Sequence, residues 1–308
     1  MLAGALALTS GCERIKQQLA AENASGQSGD PVWQGDSTML ASSPTLIFRL
    51  FDHPKGRAIA PIATAGAQGF RPVTMGRRGW RALDLNYLQA GHQLDAIREG
   101  RLAGSVTMSR GMWQSGEQLD SLPGCPRIIP AGLVNAPSGV NLAMTGGRPA
   151  LKAVTPLSAG ELQDAIATVP TLIAPSSGIA TSMLARYKRD VYVLNTGTGA
   201  RPSILVTYDD PEPVADTLRP IAQRPRQFLV VLDKGVYGYK ATYTFATLGN
   251  ALSLPKQRFL DYVDVDGDGK AELFFGFLYN KMFDGTLVLR FENDAWREAM
   301  REPVRCQL

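Results

Sequence analysis

From Phe259 to Phe277 the chain reads FLDYVDVDGDGKAELFFGF. Two apolar runs enclose a polar stretch with carboxylates at alternate positions, Asp264, Asp266 and Asp268. Three like charges this close repel one another, and a bound cation relieves the repulsion. Positions 1, 3 and 5 of a tight loop turn their side chains inward, and a glycine at position 6, here Gly269, permits the bend. Lys270 at position 7 offers its backbone carbonyl, and Glu272 at position 9 offers a carboxylate directly or through water. Every donor is an oxygen, a set that suits a hard ion and excludes softer metals. The predicted ligands are Asp264, Asp266, Asp268, Lys270 and Glu272, and the predicted ion is Ca2+. The competing reading is an Asp/Gly turn that holds no ion. GDGK is not a phosphate loop, because Asp264 and Ala271 stand where that loop needs Gly and Ser or Thr.

The stretch resembles the DxDxDG calcium loops of FG-GAP and integrin-like propeller blades, dockerins and EF-hands. It departs from the EF-hand at position 12, where Phe275 replaces the bidentate glutamate, and in its flanks, which read as strands. AELFFGF is similar to the strand that follows an FG-GAP loop. The resemblance covers about a dozen residues and implies a calcium loop mounted on a sheet. Leu232–Tyr239, LDKGVYGY, is a distant cousin without the alternating carboxylates.

Other chemistry is sparse. The two histidines are His53 and His92, and the sequence has no GxSxG, HExxH or GxGxxG pattern. No catalytic residue is assigned. NTGTG, Asn195–Gly199, lies between strand-like runs and reads as a hairpin turn. Trp33, Trp80, Trp113 and Trp296 are core or rim residues, or stack on sugars. A distant carboxylate pair for glycoside hydrolysis stays open.

The chain opens MLAGALALTSGC. Leu2–Leu8 is an apolar run too short to span a bilayer, and small residues precede Cys12. This resembles a bacterial lipoprotein lipobox, which implies cleavage before Cys12 and lipidation of its sulfur. Leu8 stands one residue further from the cysteine than usual, and no Lys or Arg precedes the run. Residues 13–44 are polar enough for a flexible tether. With Cys12 assigned to lipid, Cys125 and Cys306 remain, an even number that in an oxidising compartment suggests a disulfide; two free thiols are the alternative.

These sites need a frame. Gly (31) and Pro (20) favour a turn-rich, strand-rich chain of 308 residues. Strands are predicted at Thr45–Phe51, Gly56–Thr64 and Gly79–Leu88. A hairpin follows at His92–Arg110, turning at Glu99–Arg101, and then a buried strand at Pro126–Val134. A capping box at Ser158 and Glu161 starts a helix to Val169, and Gly178–Arg189 reads as a second helix. Five further strands and a Gly-rich pair at Asp190–Asp210 complete an antiparallel sheet. The predicted class is mainly β. Residues 1–12 are a signal, 45–155 a small β-barrel or sandwich, and 156–308 an antiparallel β domain carrying loop 264–272.

Lys and Arg outnumber Asp and Glu by 12 to 6 over 46–150, and the two balance at 18 each over 151–308. A basic first half suggests an anionic envelope component as neighbour, or an arginine-rich solvated surface. Nucleic acid is not expected. The expectation is an extracytoplasmic, membrane-anchored, calcium-binding lipoprotein with a non-catalytic binding role. A hydrolase acting on an envelope polymer and an FG-GAP-type propeller fragment are the alternatives.

Overall fold

The structure is a computed structural model describing residues 45–53, 56–66, 69–73, 83–110, 132–146, 151–177, 181–210, 225–248, 256–279 and 282–302. It is mainly β and antiparallel throughout. The first sheet holds β1 (Thr45–His53), β2 (Gly56–Gly66), β3 (Gly69–Pro72), β4 (Gln93–Arg98), β5 (Arg101–Arg110), β6 (Gly132–Asn135) and β7 (Leu142–Met144). Its order is β1-β7-β4-β5-β6-β2-β3, and β1 also pairs with β2. Six strands therefore close a ring, with β3 attached to β2.

Two four-stranded meanders follow. One runs β8 (Lys188–Leu194), β9 (Ser203–Asp209), β10 (Pro225–Gly235) and β11 (Gly238–Leu248). The other runs β12 (Lys256–Val263), β13 (Glu272–Tyr279), β14 (Met282–Glu292) and β15 (Ala295–Arg301). Helix α1 (Ala159–Ser177) lies on the first meander, and a single turn, α2 (Thr181–Leu184), leads into β8.

Side-chain parity explains the stacking, because successive strand residues leave by opposite faces. In the first meander Ile204, Val206, Phe228, Val230 and Leu232 meet Ala165, Val169 and Ile173 of α1. Those three helix positions are four residues apart and share one face. The opposite parity, Leu205, Leu229 and Val231, meets Leu273, Phe275, Leu287 and Leu289 of the second meander. That meander turns Phe274 and Val288 the other way, onto Ile47, Ala63, Ile97 and Leu142 of the ring. The order is thus helix, meander, meander, ring. Both meanders are buried on two faces, which is why FLVVL and LFFGF are continuous apolar runs rather than alternating ones. The ring has its own core, in which Phe48, Ile59, Leu94, Val106 and Val134 come from five strands.

The ring is fastened to the second meander by the β4–β5 turn. Glu99 (φ 52) and Gly100 (φ 72) make a two-residue hairpin. A Cβ on Gly100 would lie 2.5 Å from the Tyr262 ring, so only glycine fits against β12. Asp261 Oδ2 accepts the Glu99 N–H at 3.2 Å. Burial pushes the Asp261 carboxyl up to about 6, against the backbone N–H groups of Tyr262, Glu99 and Gly100 that hold its charged form.

Three expectations need correction. Gly79–Leu88 is not a strand where it is described: Asp84–Leu88 forms a wide helical turn. A strand would send Leu83 and Leu88 to opposite faces, yet both enter the ring core. Gly178–Arg189 is not a helix throughout, since only Thr181–Leu184 is helical among its described residues and Lys188 already belongs to β8. The first helix runs beyond Val169 to Ser177. The sequence reading also omits β3 and β15, each the second strand of a hairpin, and β7, which takes its partners from strands distant in the chain.

Candidate metal centre

The carboxylate loop, residues 264–271, joins β12 to β13. Val263 and Glu272 pair across its mouth, so Asp264 and Glu272 are set by the register of two core strands. Asp264 is buried and organises the turn. Its Oδ1 accepts the Gly267 N–H at 2.7 Å and its Oδ2 the Gly269 N–H at 3.0 Å. Gly267 and Gly269 have φ of +78° and +84°, a conformation that side-chain-bearing residues seldom adopt. Asp266 Oδ1 accepts from the Asp268 N–H, and Asp268 Oδ1 from the Lys270 N–H. Carboxylate oxygens of Asp264, Asp266 and Asp268 lie within 4.8 Å of one another, a spacing that suits a metal ion.

Glu272 is 1% exposed. Its Oε2 accepts the Val265 N–H at 3.1 Å. Burial, with the charges of Asp266 and Asp264, pushes its carboxyl up to about 8, against the Val265 N–H and Arg290. The structure thus gathers Asp264, Asp266, Asp268 and Glu272 at one place, with Lys270 in the same turn. Phe275 is part of the core shared by the meanders.

Arg290, on β14, is the residue that the sequence reading missed. Its Nη2 bonds Asp266 Oδ2 and lies 3.8 Å from Asp268 Oδ2, and its Nε is 3.7 Å from Glu272 Oε1. It stands one position beyond the Leu273–Leu289 pair, opposite Glu272. A guanidinium there compensates part of the charge of four carboxylates. The only trace in the sequence is a lone cation inside the apolar run LVLRF.

A second polar centre backs the loop. Loop 195–202, between β8 and β9, holds NTGTG and is a loop between antiparallel strands. The Thr196 carbonyl accepts the Ala271 N–H at 2.7 Å. Gly197 sits so close that a Cβ would lie 2.1 Å from the Gly269 carbonyl oxygen. Behind it lies Asp233, also missed. Oδ1 accepts from Ser203 Oγ (2.5 Å) and Thr198 Oγ1 (3.1 Å); Oδ2 accepts from Thr242 Oγ1 (2.5 Å) and Trp296 Nε1 (2.8 Å). Four donors on two sheets satisfy one buried carboxylate, which makes it a structural joint. Trp296 is thereby a core residue.

Among other predicted positions, His53 ends β1, and His92 meets Tyr87 edge to face at 5.8 Å. Cys12, Cys125, Cys306, Trp33, Trp80 and Trp113 lie outside the described residues, as does the tether. No described helix is long and apolar enough to cross a membrane. Comparison with protein-family models, curated proteins and solved structures finds no match for this chain.

Proposed function

We propose that the protein is an extracytoplasmic, non-catalytic binding protein whose second meander carries a structural Ca2+ site. The carrying observation is the convergence of Asp264, Asp266 and Asp268 within 4.8 Å beside the buried Glu272. Hard oxygen donors in a flexible Gly-containing loop favour Ca2+ over softer ions. The ligands are Asp264, Asp266, Asp268, the Lys270 carbonyl and Glu272. Bound, the ion would offset the carboxylate repulsion and tie β12 to β13, stabilising the folded state by mass action. Two successive four-stranded meanders favour an FG-GAP-type blade pair as the second reading of this half.

The N-terminal pattern supports lipidation at Cys12 and attachment to a bacterial membrane, with the body on its extracytoplasmic side. The basic excess over 46–150 supports an anionic envelope component as neighbour. A Cys125–Cys306 disulfide fits that compartment.

The test is the melting temperature of the full chain in excess Ca2+ and in chelator, beside Asp266→Ala. A rise in Ca2+ that the variant loses supports the site, and an equal response from both proteins defeats it. Detergent partitioning of Cys12→Ala tests the anchor, which the variant should lose. Thiol labelling of the unreduced native protein tests the disulfide, which labelling at both cysteines would refute.

A further inference from the structure

Among the described residues strand β8 has a neighbour on one side only, β9. An open strand edge presents N–H and C=O groups that pair readily with another extended chain. Here the edge faces two adjoining clefts. One, of about 560 Å3, is lined by four consecutive residues, Val191 to Leu194. Because successive strand side chains point to opposite faces, such a run marks a strand met edge-on. The other, of about 830 Å3, continues past Val193 and Asn195 to the first turn of α1. Arg98, Glu99, Val193 and Tyr262 border both, so the two form one trough along β8.

The trough carries apolar, polar and charged signals together. Val193 is 46% exposed although it lies in a strand. The Asn195 N–H donates to the Tyr262 hydroxyl at 3.1 Å, while its buried Oδ1 accepts no hydrogen bond among the described residues. Arg98 and Arg101, exposed at the wall, make no ion pair among the described residues; Arg98 donates only to the Ser138 carbonyl. Of the acids that line the trough, Asp52 is paired with Arg57 and Asp261 is buried beneath the hairpin turn, which leaves Glu99 as the opposing exposed charge; Asp190, on β8 beyond the lining, is paired with Lys188.

We propose that the trough binds an extended acidic peptide segment of a partner protein, added to the open edge of β8 with its carboxylates on Arg98 and Arg101. The proposal names a partner for the binding-protein reading above and rests on that reading, but it uses no residue of the ion loop, so calcium titration and peptide binding fail separately.

The test is fluorescence anisotropy on the full chain with three blocked, labelled octapeptides: alternating Glu/Val, alternating Lys/Val, and Glu/Val N-methylated at every amide. The Glu/Val peptide should bind about ten-fold more tightly than the Lys/Val peptide, and Arg98→Glu with Arg101→Glu should weaken it by about ten-fold at an unchanged melting temperature. N-methylation should abolish binding, since it removes the N–H groups that pair with a strand. If the double variant does not fold, Arg101→Ala serves in its place, with a smaller loss expected. No binding, equal affinity for the Lys/Val peptide, or indifference to the arginine changes would overturn the proposal. Retained binding of the N-methylated peptide would overturn it too, by reducing the trough to a charged surface.

Discussion

The two meanders share one frame and solve opposite electrostatic problems on it. Each begins with a hairpin closed by an equivalent pair, Leu194–Ser203 in one and Val263–Glu272 in the other. Each first loop has eight residues, 195–202 and 264–271, and each last hairpin turns in two, Val236–Tyr237 and Asn293–Asp294. In the first meander Ser203 faces Asp233, and in the second Glu272 faces Arg290. Asp233 is surrounded by neutral donors and needs nothing further. Around Arg290 the carboxyl groups of Asp266, Asp268 and Glu272 share one guanidinium, with Asp264 beside them, so the loop is left acidic. The same backbone thus builds a closed structural joint in one meander and an acidic loop with metal-ligand spacing in the other. What differs is which side chains occupy the loop and the facing position on the third strand.

The comparison breaks hardest at Asp233. Asp233→Ala strands the hydroxyls of Ser203 and Thr242 and the Trp296 indole, and should cost about 3–4 kcal/mol by urea denaturation. Its effect should be the same in Ca2+ and in chelator. Gly197→Ala should cost about 2–3 kcal/mol, because it adds a methyl against the Gly269 carbonyl at a positive φ. Unlike the first change, it should also reduce the Ca2+-dependent rise in melting temperature, since Gly197 supports the other copy's loop. A stability loss that leaves the Ca2+ response whole would separate the two loops.

Next in size is the joint with the ring. The Asp261 pKa is raised from 3.8 to about 6, so between these values the folded state holds more proton than the unfolded one. Its contribution is full below pH 3.8 and is lost as pH rises through about 6, a fall of at most about 3 kcal/mol. Asp261→Asn should flatten that stretch of the stability–pH curve. A slope that persists unchanged in the variant would assign it to another group.

The smallest effect sharpens the comparison. Arg290→Gln removes the built-in cation and should lower stability in chelator by about 1 kcal/mol. In Ca2+ the difference should shrink or reverse, as the ion compensates the same carboxylates. Calorimetric titration checks this: apparent Ca2+ affinity should rise in the variant, and a fall would make Arg290 a supporter of the ion rather than its substitute.

Short-range chemistry made much of this legible in one dimension. The alternation of Asp264, Asp266 and Asp268 with Gly267 and Gly269 encodes a local turn, because the bonds these aspartates accept from the loop's own backbone span five residues or fewer. The Ser158–Glu161 capping box is local in the same way, with Ser158 Oγ accepting the Glu161 N–H at 3.2 Å. Apolar runs announced the meander strands, since burial on both faces demands them. Arg290, Asp233 and the open edge of β8 could not be read so. Arg290 reaches Asp266 across 24 positions, and Asp233 is held by Ser203, 30 residues before it, and Trp296, 63 after it. The ring closes only when β1 meets β7 about a hundred residues later, and the β4–β5 turn finds Asp261 across 162. Residue types and spacing determine which turns and strands can form. Register and sheet stacking decide which charges meet, because they bring together side chains that no local pattern connects.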